Sequence, residues 1–538
     1  MSISLLSRYA FMAACVLVTL ALAPFVHLDD WYVVIVAATG VLSLIGVADL
    51  LQTRHAVLRN YPVLGHIRYL VEAIRPEIRQ YLLEADDEKL PFSRAQRSLV
   101  YQRAKNETSE RPFGTMVDVY ADGYEYIGHS MKPAPENDPA SFRITIGGPQ
   151  CRQPYSSSVL NISAMSFGSL SANAIRALNK GAKLGNFAHD TGEGSISPYH
   201  RENGGDIIWE LGSGYFGCRD EHGNFSAEHF AKQARDPQVK MIEIKLSQGA
   251  KPGHGGILPA HKVSAEIALT RGVPMGKTCV SPSRHSAFST PVEMMGFITQ
   301  LRELSGGKPV GFKFCLGHPW EFMSIVKAML ETGVMPDFIV VDGKEGGTGA
   351  APVEFTDHLG VPLREGLLLV HNTLVGAGLR DHIRIGASGK LISAFDIASI
   401  LAIGADWVNI ARGFMFAIGC IQSQSCHTNR CPTGVATQDK LRQRALVVPD
   451  KAERVRNFHR NTLKGLAEML AAAGLSHPDE LGPHHLVRRI TTTEVKLFSQ
   501  LHYFVKPNAL VDGTETSEFY RNCWRMARAD SFDPAPLT

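Results

Sequence analysis

The sequence predicts an α/β protein built on a closed barrel of eight parallel strands, preceded by a helical hairpin that enters a membrane. Three observations carry this. Short apolar runs alternate with helix-patterned stretches between about residues 159 and 413, the residues just past those runs are polar and glycine-rich, and the first fifty residues hold two long apolar stretches. Short apolar strands that alternate with helices are buried on both faces, as in a parallel sheet covered by helices. An open doubly wound sheet satisfies the pattern alone. The polar strand ends, which a barrel gathers on one face, favour the (βα)8 TIM-barrel form.

Composition narrows the function. With 44% hydrophobic and 20% charged residues, disorder throughout is excluded. The 55 Lys and Arg against 52 Asp and Glu leave a formal charge of +3, without the basic excess that wrapping nucleic acid requires, so no nucleic-acid partner is expected. Nine cysteines in 538 residues are too few for a disulfide scaffold.

Taken in order, residues 9–28 and 31–51 are apolar apart from Asp49 and are separated by Asp29-Asp30. Each stretch of about twenty residues matches a hydrocarbon core of roughly 30 Å. A cleaved signal peptide is the alternative, but no small-x-small site follows the first run and a second span comes at once. Arg8 flanks one end of the hairpin and Arg54 and Arg59 the other, while Trp31 and Tyr32 sit at the turn. The positive-inside rule then places both ends, and the barrel behind them, on the cytoplasmic side of the inner membrane. Residues 1–55 are read as this transmembrane hairpin.

Residues 56–150 form a lead-in subdomain: 62–84 has helical spacing with many Arg and Glu, and 113–146 alternates as short strands do. Residues 151–440 carry the barrel. Its strands are expected at 159–164, 186–188, 241–246, 278–280, 310–314, 338–341, 383–385 and 407–410. Helices are expected at 172–184, 262–271, 291–304, 320–332, 363–379 and 394–404. The stretch 195–240 reads as an insertion over the active face. Residues 441–538 read as a C-terminal extension with a helix at 452–473.

One motif is chemically sharp on its own. Cys420, Cys426 and Cys431 stand as C-x5-C-x4-C in the loop after the last strand. Thiolates suit soft iron. Three structural thiols, or a zinc site completed by His427, fit the same spacing.

The runs SAMSFGSLS (163–171), DTGEG (190–194), EIKLSQGAKPGHGGILPAHKV (243–263), DGKEGGTGAAP (342–352) and GCIQSQSCHTNRCPTGVATQ (419–438) resemble the FMN-binding synthase domain of glutamate synthases. The resemblance implies a (βα)8 barrel holding FMN and a [3Fe–4S] cluster and reducing 2-iminoglutarate to glutamate. It makes Cys420, Cys426 and Cys431 the cluster ligands. It places the backbone of Ala164, Met165 and Ser166 against the flavin ring, and Glu193, Lys245 and Gln248 in the 2-oxoglutarate pocket, with Gln248 also facing the cofactor. Lys245 would bind a carboxylate and Glu193 would deliver a proton to the imine nitrogen; a plain structural Lys–Glu pair is the alternative.

Lys313, at the end of the fifth strand, suits the negative charge of a reduced flavin, unless it is a snorkelling surface lysine. The glycine loop with Gly346 and Gly347 joins the cofactor set. A phosphate needs clustered donors after the last two strands, which points to Ser388, Gly389, Lys390, Ala411, Arg412 and Gly413. Here the sequence departs from the family: GASGK stands for a VDGG-like run and ARG for a GT-type turn. His254 in PGHGG replaces the glutamate of PGEGG, and the run 281–294 differs as well.

The chain starts Met1-Ser2-Ile3 without the cysteine nucleophile of a glutaminase domain, and no G-x-G-x-x-G opens a strand–helix unit. The reading is therefore a membrane-anchored oxidoreductase that reductively aminates a 2-oxo acid, with 2-oxoglutarate the first candidate. Electrons would come from ferredoxin or a separate reductase subunit, and ammonia from a separate supplying subunit. Two alternatives stand: an N-methylglutamate synthase-like flavoenzyme using a substituted amine, and a non-catalytic membrane-bound electron-transfer or scaffold subunit.

Overall fold

Eight parallel strands close on themselves in the computed structural model, which describes residues 3–85, 88 and 91–537. They are β1 (Leu160–Ile162), β2 (His189–Asp190), β3 (Ile207–Leu211), β4 (Val239–Lys245), β5 (Val310–Phe314), β6 (Phe338–Asp342), β7 (Arg384–Ser388) and β8 (Trp407–Ile410). Each pairs with the next in sequence, and β8 pairs with β1. Helices α1 (Ala172–Gly185), α2 (Pro198–Arg201), α3 (Ala227–Ala234), α4 (Pro291–Leu304), α5 (Pro319–Thr332), α6 (Leu363–Gly376), α7 (Ala394–Leu401) and α8 (Val448–Ala472) follow the strands in turn.

Two strand assignments are corrected. Residues 278–280 are not a barrel strand: Cys279–Val280 pairs antiparallel with Ile257–Leu258, and Val280 is exposed. The missing strand is β3, inside the stretch 195–240 read as an insertion. Its sequence IIWEL follows Gly204-Gly205-Asp206 and carries Glu210, so it lacks an uninterrupted apolar signature. The second strand begins three residues later than expected. Asn186, at φ 54°, is instead the left-handed residue that ends α1.

The helix expected at 452–473 runs as α8, which takes the eighth position of the ring. It packs against α1, where a Cβ on Gly181 would fall 2.4 Å from Val455 Cγ1, so only glycine allows the approach. The N-terminal mouth of the barrel is closed by the antiparallel pair Arg143–Ile146 and Tyr155–Ser158. Ile146 and Tyr155 there pack with Ala188, Ile208, Met241, Phe338, Val340 and Trp407 in one buried cluster. Beneath it, Asp337 accepts from Gly148 N at 2.7 Å, Val310 N at 2.8 Å and Arg302 Nη2 at 3.1 Å.

The chain divides into two units, residues 1–94 and 95–538. The first opens with the helices Ile3–Leu22 and Asp30–Leu51, whose apolar windows have mean hydropathy 1.7 and 2.3 and are long enough to cross a membrane. Asp29 caps the second helix by accepting from Trp31 N at 3.2 Å. Within the hairpin Thr19 Oγ1 donates to Thr39 Oγ1 at 2.8 Å.

Candidate active site

The strand ends meet at a cleft lined by Glu193, Ser213, Lys245, Ser247, Gln248 and His254 among others. Lys245, the last residue of β4, lies with its Nζ 3.2 Å from Glu193 Oε2 and 3.1 Å from Gln248 Oε1. Lys245 thus touches both of the other residues expected to share its pocket. Glycine makes room for them: a Cβ on Gly256 would fall 1.9 Å from Glu193 Oε1. Burial opposes ionisation of Glu193, but the charges of Lys245, Arg271 and Lys251 hold its carboxyl below the usual range. Glu193 is therefore a carboxylate at neutral pH and must take up a proton before it can give one.

Two residues of this face were not singled out from the sequence, although His285 lies in the altered run 281–294. Arg271, at the end of the helix Ala265–Arg271, is buried, donates from Nη2 to Phe167 O at 3.0 Å and has an unpartnered Nε. His285 bridges Tyr215 Oη at 3.0 Å and the carbonyl of Lys245 at 2.9 Å, and burial pushes its ring down to about 4, so it is neutral. Only the fold reveals either one, since each lies far from Glu193 in sequence. His254 bonds to Gly255 O at 2.8 Å and meets Phe355 edge-on at 5.4 Å.

Lys313 is not a snorkelling residue. It is buried inside the barrel with its Nζ 3.1 Å from Glu243 Oε1, 3.8 Å from Asp190 Oδ2 and paired with Glu210. Three carboxylates thus surround one cation. Burial and mutual repulsion push the carboxyls of Asp190 and Glu243 up, while burial works against the charge of Lys313 but its three acids hold it well above the ordinary lysine range. Among the described residues, Asp190, Glu210 and Glu243 are the only three His, Cys, Asp or Glu whose ligand atoms lie within 4.8 Å of one another.

The residues read as a phosphate site divide in role. Ser388 Oγ donates to Asp342 Oδ1 at 2.6 Å, and Asp342 Oδ2 accepts from Gly249 N at 2.7 Å, so this hydroxyl serves to join the loops after β4, β6 and β7. Gly389 and Lys390 turn the backbone at φ 150° and 55°. Arg412 is held with its guanidinium donating to Glu345 O, and burial lowers it to about 10. It lies so close to Gly347 that a Cβ there would fall 2.9 Å from its Cδ. Ala411 precedes the short helix Arg412–Ala417, Gly413 is buried within it, and Gly346 N donates to Gly343 O at 2.9 Å. An ammonium, a guanidinium and side-chain-free backbone are the donor set a phosphate monoester needs, so the residues fit the FMN phosphate.

Cys420, Cys426 and Cys431 follow β8 as expected, and their thiols do not converge to the spacing of a single ion. Burial raises Cys420 to about 12 and raises Cys426. At Cys431 burial is outweighed by N–H groups of Ala436, Thr433 and Val435 and by the Thr433 hydroxyl, which lower it. Three thiols on one loop, one of them with its thiolate favoured, fit an iron–sulfur cluster. The loop is fastened on three sides. Gln438 Nε2 donates to Gly168 O at 3.0 Å and Leu170 O at 2.9 Å, Lys262 Nζ donates to Cys426 O at 2.7 Å, and Tyr101 Oη donates to Cys420 O at 2.7 Å.

Residues 142–476 match the conserved region in glutamate synthase. The chain is 40% identical over 500 residues to the glutamate synthase large subunit-like protein YerD of Bacillus subtilis (strain 168), covering 85% of this chain and 95% of that one. It is 32% identical over 336 residues to an archaeal-type glutamate synthase (NADPH) of Thermotoga neapolitana, covering 62% of this chain and 63% of that one. Against an archaeal glutamate synthase (NADPH) of Methanocaldococcus jannaschii the identity is 34% over 338 residues, again covering 62% and 63%. The chain therefore spans less than two thirds of the length of the latter two.

Proposed function

The chain belongs to the glutamate synthase family, and from that premise we propose that it reductively aminates a 2-oxo acid, with 2-oxoglutarate the first candidate, as a membrane-anchored oxidoreductase. The single observation that carries the proposal is the contact of Glu193, Lys245 and Gln248 in one cleft, with the buried Arg271 and Lys251 beside them. That set holds more positive than negative charge, which suits a dicarboxylate.

FMN, held by the strand-end loops, would supply hydride chemistry, and an iron–sulfur cluster on Cys420, Cys426 and Cys431 would supply one-electron transfer from ferredoxin or a partner subunit. The chain's own residues do the rest. Lys245 and Arg271 bind substrate carboxylate, and Gln248 orients the Lys245 ammonium. The neutral His285 fixes the Lys245 backbone. Glu193 Oε2 holds the proton destined for the nitrogen once substrate carboxylate has drawn Lys245 away from it.

Product analysis tests this reading. With reduced ferredoxin, ammonia and 2-oxoglutarate the protein is expected to form glutamate. Methylamine in place of ammonia tests whether His254, where the family pattern has glutamate, admits a substituted amine. No amino-acid product from any pair in a panel of 2-oxo acids and amines would leave the scaffold reading standing.

Cys426→Ser is expected to abolish bound iron while leaving flavin content near that of the parent. Metal analysis and the flavin absorbance of the anaerobically purified protein check it. Zinc in place of iron in the parent would remove the electron relay.

A further inference from the structure

After the hairpin and the short helix Ala56–Asn60 the chain forms the helix Gly65–Ile78, continued by the π-helical turn Arg79–Leu83. At 100° per residue, Leu64, Ile67, Leu70, Val71, Ile74 and Ile78 fall within about 60° of one line, and the π-helical turn that follows carries the apolar Tyr81 and Leu82. This stripe is exposed among the described residues: Leu70 is 63% exposed, Ile67, Val71 and Ile74 are exposed too, and so are Tyr81 and Leu82 in the turn beyond it, the latter 77%. Arg68, Arg75 and Arg79 run along one border of the stripe. A water-facing helix seldom leaves so continuous an apolar face open, and one with three arginines and two glutamates, Glu72 and Glu77, cannot cross a bilayer core.

The occupant follows from where the helix begins. Asp49, near the end of the second hairpin helix and only 4% exposed, accepts from Val63 N at 2.9 Å and is bonded to His66 Nε2 at 2.9 Å. A buried carboxylate thus fastens the first turn of the amphipathic helix to the end of the apolar hairpin. We propose that Gly65–Ile78 and its continuation lie in the plane of the phospholipid bilayer surface, with the apolar stripe among the upper acyl chains and Arg68, Arg75 and Arg79 at the phosphates. Placement rests on the reading of the hairpin as membrane-spanning. Apolar side chains reach the acyl boundary when such a helix lies flat, and arginine stems snorkel to the headgroups beside it.

The test uses the full chain in its native membrane, with a benzophenone-bearing residue placed at position 34, 72 or 74. Irradiation is expected to attach phospholipid at position 34, in the hairpin, and at position 74, on the stripe, with at least tenfold less at position 72 on the polar face. Lipid at position 34 combined with a protein adduct at 74, whether a second copy of this chain or another protein, would overturn the surface helix and leave the hairpin intact. No adduct at 74, or equal lipid at 72 and 74, would overturn it as well. Lipid at 74 without lipid at 34 would remove the hairpin reading and keep the surface helix.

Discussion

Replacing Lys313 with methionine is expected to destabilise the barrel by about 3–5 kcal/mol at neutral pH, the cost of removing one partner from a buried ion pair. The variant keeps most of the side-chain volume, so the loss is electrostatic. Among the described residues Lys313 is the one cation in contact with Asp190, Glu210 and Glu243. The pH dependence gives the effect a signature. Asp190 and Glu243 hold their protons to higher pH in the native barrel than in the unfolded chain, so the native state binds more protons. Stability from these groups therefore falls as pH rises from the ordinary carboxylate range through their raised values, and the effect vanishes in acid, where both states are protonated. Without Lys313 the two carboxyls rise further. The gap between variant and parent should widen from about pH 5 to about pH 8 and narrow toward about pH 4. Urea unfolding of the detergent-solubilised chain measures it, and adding Glu210→Gln should restore part of the loss. A gap that does not change with pH would mean the four groups are not electrostatically coupled.

Lys245→Ala is expected to weaken 2-oxo acid binding by roughly 10- to 150-fold, from loss of a charge-assisted hydrogen bond of about 1.5–3 kcal/mol. Lys245 also stands first among the cations that keep Glu193 ionised, so its loss moves the Glu193 carboxyl up. Activity that depends on a protonated Glu193 should then persist to higher pH, so the alkaline limb of the profile shifts upward, a change that a lost structural contact alone does not produce. Titration of the flavin spectrum with 2-oxoglutarate gives the affinity, and turnover across pH gives the shift. Unchanged affinity with normal flavin content would confine Lys245 to its pairing with Glu193.

The eightfold βα alternation was readable because most barrel strands are dominated by apolar residues, as Phe338–Asp342 shows. It failed at β3, where Glu210 points into a charged interior that no apolar pattern reports, and at Cys279–Val280, a two-residue strand outside the barrel. The cleft was readable through local motifs: Glu193 sits in DTGEG, and Lys245 and Gln248 in one run. Arg271 and His285 were not. Each reaches the site through a connection, the helix Ala265–Arg271 and the altered 281–294 run, whose path the motifs do not specify. Lys313 lies buried inside the barrel, and its three acidic neighbours come from three other strands and appear only when the barrel closes.

The cysteine loop is tied through Gln438 to the loop after β1 and through Lys262 to the stretch that continues from Lys245. Mechanical fastening of this kind is also thermodynamic linkage. If metal on Cys420, Cys426 and Cys431 tightens substrate binding by some factor, substrate must tighten metal binding by the same factor. If metal binding helps to order that loop, a chain without metal would meet a 2-oxo acid with a looser face. Metal supply would then govern substrate capture as well as electron flow.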